Sequence, residues 1–426
     1  MLDIKIIREE TEFVKERVKF RNEDDSVIDE LLLLDKKRLE LIHKSDSLKE
    51  KRNTVSDEIA VMKRNKENTD EKITEMRKVS DDIKMLDEEL KKYDEEIDAK
   101  LRFIPNLPDK TVPPGKSEKD NIEVGIRGEK KKFDFKLRDH IELGKFLDIL
   151  DFERGAKISG SGFPLYKGKG AQLERALWNF MLDEQQKNGY REVLTPVLVN
   201  RASMEAAEKI PKFEDDMYHI SRDDLFAIPT AEVSILNIHR DEILKKEDLP
   251  VKYCGLTNCF RREAGSYGKE TKGFLRVHQF NKVELITFCL PENSYHELGN
   301  MLKDATGILQ KLDLHYRVIE LCSADLGFAA SKCFDIEVWS HAENKWLETS
   351  SVSNCTDFQT RRAMIRYRYI TENKKSRTEY LHALNGSGLA TSRLMVALLE
   401  ANQTKEGFVE IPEVLRSYTG FDIIKN

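Results

Sequence analysis

Hydrophobic positions in the first quarter of the chain recur with helical spacing. Leu34, Leu41, Leu48, Val55 and Met62 stand seven residues apart, while Met76, Val79, Ile83, Leu86, Leu90, Tyr93 and Ile97 step by three and four. That is the seam of a coiled coil. Residues 26–101 contain no proline or glycine, and the polar run NKENTD at 65–70 marks a reversal. The pattern therefore predicts two antiparallel helices, each reaching about 50 Å at 1.5 Å per residue. Arg38, Ser45 and Arg52 occupy seam slots that ought to be apolar. Long side chains in such slots can snorkel outward or reach a ligand. A Pro- and Gly-bearing stretch at 103–121 then reads as a linker.

Beyond residue 121 the period changes. Short alternating runs such as KVELITF and FDIEVW are interleaved with helix-like segments, which predicts an α+β body with helices packed on an antiparallel sheet. No GxGxxG or GxxxxGK[ST] loop occurs, so a doubly wound nucleotide fold has no support. The segment QLERALWNFMLDEQQKNG places Leu173, Leu177, Phe180 and Met181 on one side of a helix, and YREVLTPVLVN follows as a half-buried strand.

Composition narrows the partners. The 426 residues suffice for two domains. A net charge of -6 gives no global basic field, so a nucleic acid must be met by a local patch. Residues 26–101 carry 17 Lys and Arg against 21 Asp and Glu, yet the turn end gathers Lys63, Arg64, Lys66, Lys72, Arg77 and Lys78. With Arg38 and Arg52, these are the candidates for a phosphate-binding face on the arm. No apolar run approaches about 18 residues, so no membrane span is expected. The start lacks the pattern of a signal or transit peptide, and a cytoplasmic protein is the expectation. Six cysteines without CxxC spacing suggest buried reduced thiols and no zinc.

The densest chemistry lies at 259–288, CFRREAGSYGKETKGFLRVHQFNKVELITF. On extended chain Arg261 and Glu263 share a face, as do Arg276, Phe280 and Glu284. Two guanidiniums, a ring and two carboxylates suit a nucleoside triphosphate beside an amine. An ordinary hairpin with surface salt bridges would carry any two of these residues. The whole ordered set resembles motif 2 of the class II aminoacyl-tRNA synthetases, and EAGS…KGFLRVHQFNKVE is similar to the seryl family in particular. Residues 172–200 resemble motif 1 and residues 382–403, HALNGSGLATSRLMVALLEANQ, resemble motif 3.

The resemblance implies a class II antiparallel sheet flanked by helices (122–426), preceded by a tRNA-binding domain (1–102) whose arm grips tRNA. It implies a serine site at Thr230, Ala231, Glu232, Arg261, Glu284, Asn385 and Ser387. The ATP site would comprise Arg261, Arg262, Glu263, Arg276, Val277, Phe280, Glu348, Thr349, Ser350, Ser351 and Arg393, with Mg²⁺ on Glu348 and Ser351. Thr349 is a departure from the family pattern. The loop 265–273 would touch the acceptor stem. Implied partners are L-serine, ATP, tRNA(Ser), tRNA(Sec) and a second copy of the chain, since motif 1 builds the family's dimer interface. Two competing readings are an aminoacyl:carrier-protein ligase, whose relatives lack the arm, and a noncatalytic paralogue. The second is disfavoured because Arg261, Glu263, Arg276, Glu284 and Arg393 are costly to hold together in a cleft without a ligand.

Overall fold

The two arm helices run Ser26–Arg64 (α1) and Asp70–Leu101 (α2) in a computed structural model that describes residues 1–263 and 272–426. Leu41, Met76, Val79, Ile83 and Ile97 are buried along the seam. The polar slots meet acids across the hairpin. Ser45 Oγ donates to Asp87 at 3.0 Å, and Arg38 donates across to Asp94 at 3.2 Å and, within its own helix, to Asp35 at 2.7 Å. Nearer the turn, Lys51 pairs with Glu75 and Lys72 with Glu58. A seam thin in apolar contact is thus supplemented by ion pairs, each contributing about 0.2–1 kcal/mol where exposed.

Contacts divide the chain into Met1–Pro105 and Asn106–Asn426. The second unit opens with Asn106, whose Nδ2 donates to the carbonyls of Ala329 (2.8 Å) and Cys355 (2.9 Å). Its frame is an eight-stranded sheet: β1 (Ile122–Arg127), β2 (Arg191–Glu192), β3 (Val251–Phe260), β4 (Gln279–Cys289), β5 (Tyr316–Glu320), β6 (Lys332–Ser340), β7 (Lys345–Asn354) and β8 (His382–Ala390). The spatial order is β1-β5-β6-β7-β8-β4-β3-β2, and only β2 with β3 is parallel. The principal helices are α3 (Gly168–Lys187), α4 (Glu232–Leu236), α5 (Ser294–Lys311) and α6 (Thr391–Ala401).

Strand alternation feeds two cores. Val283 and Leu285 of β4 join Ile336, Val352 and Leu384 against Leu173 of α3, Met301 of α5 and Leu394 of α6. Ile286 and Phe288, on the opposite face of β4, pack with Ile228 and with Val233 of α4. Three of the elements are also pinned by one buried carboxylate. Glu174 of α3 accepts hydrogen bonds from Asn281 of β4 (3.0 Å) and Thr391 of α6 (2.5 Å).

The strand expected through YREVLTPVLVN is in two pieces, β2 and Leu198–Asn200, which belongs to a separate three-stranded sheet. Pro196, which has no N–H to give a ladder, lies between them. Leu194 is left 91% exposed. Of the loop expected at the acceptor stem, residues 265–271 lie outside the described residues.

Candidate active site

Glu348 and Ser351 are three residues apart, and on a regular strand they would face opposite ways. A bulge in β7 reverses this. Ser350 pairs with Ile336 and Glu348 with Glu337, which leaves Thr349 as the extra residue. Thr349 Oγ1 donates to the Ile336 carbonyl at 3.1 Å. Glu348 and Ser351 therefore share the face of their cross-strand partners, Glu337 and Asp335. The same face continues across the sheet: Ser353 of β7 pairs with Asn385 of β8, and Ser387 with Glu284 of β4. Phe280, Lys282 and Glu284 alternate onto it along β4.

Of these residues, Phe280, Lys282, Glu284, Glu348, Ser351, Ser353, Asn385 and Ser387 line one cavity of about 600 Å³, and Asp335 and Glu337 do not. One group of lining residues is a buried polar network. Thr230 Oγ1 donates to Glu284 at 2.5 Å and accepts from Lys282 Nζ at 2.9 Å. The Glu232 amide donates to Thr230 Oγ1 at 3.2 Å, so this threonine also serves the start of α4. Glu232 accepts from Asn385 Nδ2 (3.1 Å), Gln359 Nε2 (2.5 Å) and Lys209 (3.2 Å). Burial raises the Glu284 carboxyl, and Lys282 beside it opposes that rise. Ser350 Oγ ties β7 to β8 by donating to the Ser387 carbonyl at 2.6 Å.

The second group holds the arginines. Arg261 sits beyond the end of β3 but stays in register, its amide donating to the His278 carbonyl at 2.9 Å. Its guanidinium lies 5.1 Å from the centre of the Phe280 ring. Arg276 pairs with Glu263 at 2.6 Å. Arg393, near the start of α6, donates to the carbonyls of Glu348 (2.9 Å) and Leu275 (3.2 Å) and faces Glu348 Oε2 at 3.4 Å. Burial, then the charge of Glu348, pushes the Asp335 carboxyl up to about 8.

Most of the residues singled out in the sequence meet here, with four corrections. Arg276 is not on the strand with Phe280, because β4 begins only at Gln279. Glu263 is not extended either: its φ is +51°, in the left-handed region. Arg276 and Glu263 both line the cavity nonetheless. Arg262 points away, its Nη1 donating to the Asp215 carbonyl at 3.0 Å. Ala231 is fully buried in the second core and is not part of the lining.

Lys282, Glu208, Lys209, Asp335 and Gln359 were not anticipated. The alternation that selected Phe280 and Glu284 selects Lys282 as well. Asp335 depends on a cross-strand register, and Gln359 on a contact 127 residues away from Glu232, neither of which local spacing encodes.

The family model described as tRNA synthetase class II core domain (G, H, P, S and T) matches residues 212–402, and the seryl-tRNA synthetase N-terminal domain matches residues 1–108. The serine--tRNA ligase of Chloroherpeton thalassium is 52% identical over 429 residues, covering 100% of both chains. Among solved structures, Pyrococcus horikoshii seryl-tRNA synthetase complexed with ATP is 37% identical with a TM-score of 0.92, over 100% of this chain and 99% of that one. The cytoplasmic serine-tRNA ligase of Naegleria fowleri, in complex with AMP, is 31% identical with a TM-score of 0.88 over the same shares. Similarity of this strength along the whole length, with the sheet topology and the shared cavity face, leads to one conclusion: the chain belongs to the seryl-tRNA synthetases of class II.

Proposed function

We propose that the cleft activates L-serine with ATP and passes the seryl group to tRNA(Ser). Family membership makes the chain a serine--tRNA ligase; the residue roles are our reading. The observation that carries them is a single cavity lined both by a buried carboxylate–hydroxyl network and by Arg261, Arg276 and Arg393. One set suits an ammonium and a hydroxyl, the other a triphosphate.

In the first step a serine carboxylate oxygen attacks the α-phosphorus of ATP. The bond from that phosphorus to the bridging oxygen breaks, and pyrophosphate leaves. Arg261 neutralises charge developing on the α-phosphate, while Arg276 and Arg393 hold the outer phosphates. To do so they exchange their carboxylate partners, Glu263 and Glu348, for phosphate oxygens. Glu263, once released, accepts from the adenine amino group, and Phe280 stacks on the ring. In the second step a hydroxyl of the tRNA 3′-terminal adenosine attacks the seryl carbonyl, and the acyl–phosphate bond breaks to release AMP.

Glu232, Glu284 and Thr230 receive the serine ammonium, and Ser387 its hydroxyl. A site built to pair a hydroxyl rejects alanine by leaving buried groups unpaired. Among the described residues no group of three or more His, Cys, Asp or Glu can hold a metal. The bulge does put one carboxylate and one hydroxyl on a common face, an all-oxygen pair suited to Mg²⁺. Glu348 and Ser351 would hold that ion, which when bound supplies charge neutralisation to the phosphates.

The arm's turn end would grip tRNA outside the anticodon, which allows tRNA(Sec) as a second acceptor. Exposed Leu194, with Leu198 44% exposed four residues on, supports a dimer through the motif 1 segment. Six unpaired buried thiols fit a reducing compartment, and we place the protein in the cytoplasm. Serine-dependent ATP–pyrophosphate exchange, run beside charging of tRNA(Ser) with and without residues 64–69, tests the reading. Exchange with serine and charging lost on excision are expected; no exchange with any amino acid would overturn it.

A further inference from the structure

Two buried carboxylates beside the serine site compete for the same donors. Glu208 Oε1 accepts from Lys209 (3.3 Å) and from Gln359 Nε2 (3.0 Å). Glu232 takes the same ammonium at 3.2 Å and the same amide at 2.5 Å. Glu208 is 3% exposed and lines the cavity, yet its Oε2 has no hydrogen-bond partner among the described residues. A buried carboxylate oxygen left unmatched is costly, so such groups point to a ligand or a function. The left-handed backbone of Glu208, with φ at +49°, is the end of the helix Arg201–Ala206, where the Glu208 and Lys209 amides donate back to the Glu205 and Met204 carbonyls at 3.1 and 3.0 Å.

We propose that Glu208 is a further amino-acid-binding residue, its unmatched carboxylate oxygen forming part of an anionic floor that receives the ammonium of the substrate. The inference rests on the serine-activating reading of this cavity and deepens it. Lys209 is shared between the two acids, and an incoming ammonium would give Glu208 Oε2 the donor it lacks. Specificity follows from this charge: serinol, which keeps the ammonium and hydroxyl, should still compete, whereas a 2-hydroxy acid lacking nitrogen should not.

The floor also titrates. Burial pushes the Glu208 carboxyl up to about 7, Lys209 opposing and Glu232 adding to the rise. The other groups facing it are Gln359 and Arg362 on the short helix Phe358–Arg362, and the Cys355 thiol, itself raised by burial. Ionisation of Glu208 makes the floor more negative, so serine binding strengthens as pH rises through that range.

The test is serine-dependent ATP–pyrophosphate exchange by the full-length wild type and E208Q, from pH 6 to pH 8.5, with separate titrations of serine and ATP. At pH 8 E208Q is expected to raise the serine KM roughly tenfold, the loss of one charge-assisted hydrogen bond, with kcat and the ATP KM nearly unchanged. Its kcat/KM for serine should lose the acid limb that wild type shows. E208G serves as the second variant, because glycine suits the left-handed backbone and guards against a folding artefact. A serine KM within twofold of wild type in both variants, or an acid limb that survives in both, would overturn the proposal while leaving the activity intact. Absence of serine-dependent exchange in wild type would overturn the underlying reading instead.

Discussion

Lys282 and Glu284 stand two residues apart on one face of β4, with the ammonium 2.5 Å from Glu284 Oε2 and side chains only 8% and 3% exposed. Removing one partner of such a pair leaves an uncompensated buried charge, at a cost of about 3–5 kcal/mol. K282M is therefore expected to lower the melting temperature sharply near neutral pH. The loss should depend on pH in a definite direction. Glu284 is raised by burial, so its contribution to stability is full below the carboxyl's unfolded pKa and is lost as pH rises through the folded value. Without Lys282 that folded value moves higher still. The two melting curves should converge in acid and separate on the alkaline side; parallel curves across pH would contradict the pairing.

Arg393 spans two parts of the proposed phosphate site, since it donates to both the Leu275 and the Glu348 carbonyls. R393A is expected to lower kcat/KM for ATP by about a hundredfold or more, the scale for losing a donor aimed at transition-state charge. R393K keeps the charge but not the planar fork, and should fall between. Pyrophosphate exchange with ATP and serine titrated separately checks this. A change confined to the serine KM would contradict the assignment.

The arm, the class of the body and most of the cleft were legible because each rests on local periodicity. Heptads set α1 and α2, and alternation along β4 set the face carrying Phe280 and Glu284. What local spacing misjudged were the places where the chain leaves regular geometry. Glu263 turns into the left-handed region, Arg276 precedes its strand, and Pro196 divides the segment after α3. Glu348 and Ser351 show the converse. Their spacing is wrong for a common face on a regular strand, and only the bulge at Thr349, fixed by pairing with β6, brings them together. Glu208 and Lys209 were invisible for a third reason: a Glu-Lys dipeptide reads as solvated surface until the fold buries it.

Glu174 offers a test that leaves the cleft's chemistry untouched. Burial raises its carboxyl, against hydrogen bonds from Asn281 and Thr391. A raised carboxyl pKa destabilises the fold as pH climbs through the folded value, because a proton is held that the unfolded chain would release. E174Q keeps an acceptor oxygen without the charge. Measured from pH 5 to pH 9, its melting temperature relative to wild type should rise once the ordinary carboxyl range is passed and level off above the folded value. A constant difference would mean that Glu174 does not titrate across that range.

The arm separates two kinds of basic residue that sequence alone had grouped together. Arg38 is held by Asp35 and Asp94, and Lys72 by Glu58, so both are engaged in closing the hairpin. Lys63, Arg64, Lys66, Arg77 and Lys78 are exposed toward the turn end. R38A is thus expected to loosen the arm, seen as a lower melting temperature, before it affects RNA contact. The triple substitution K63E, R64E and K66E should leave serine-dependent pyrophosphate exchange at the wild-type level, because the cavity lies wholly in the second unit. It should raise the KM for tRNA(Ser) by roughly tenfold or more and flatten its dependence on salt, as expected when phosphate contacts are lost. Unchanged tRNA affinity and an unchanged salt slope, both here and on charge reversal at Arg77 and Lys78, would contradict the proposed role of the turn end.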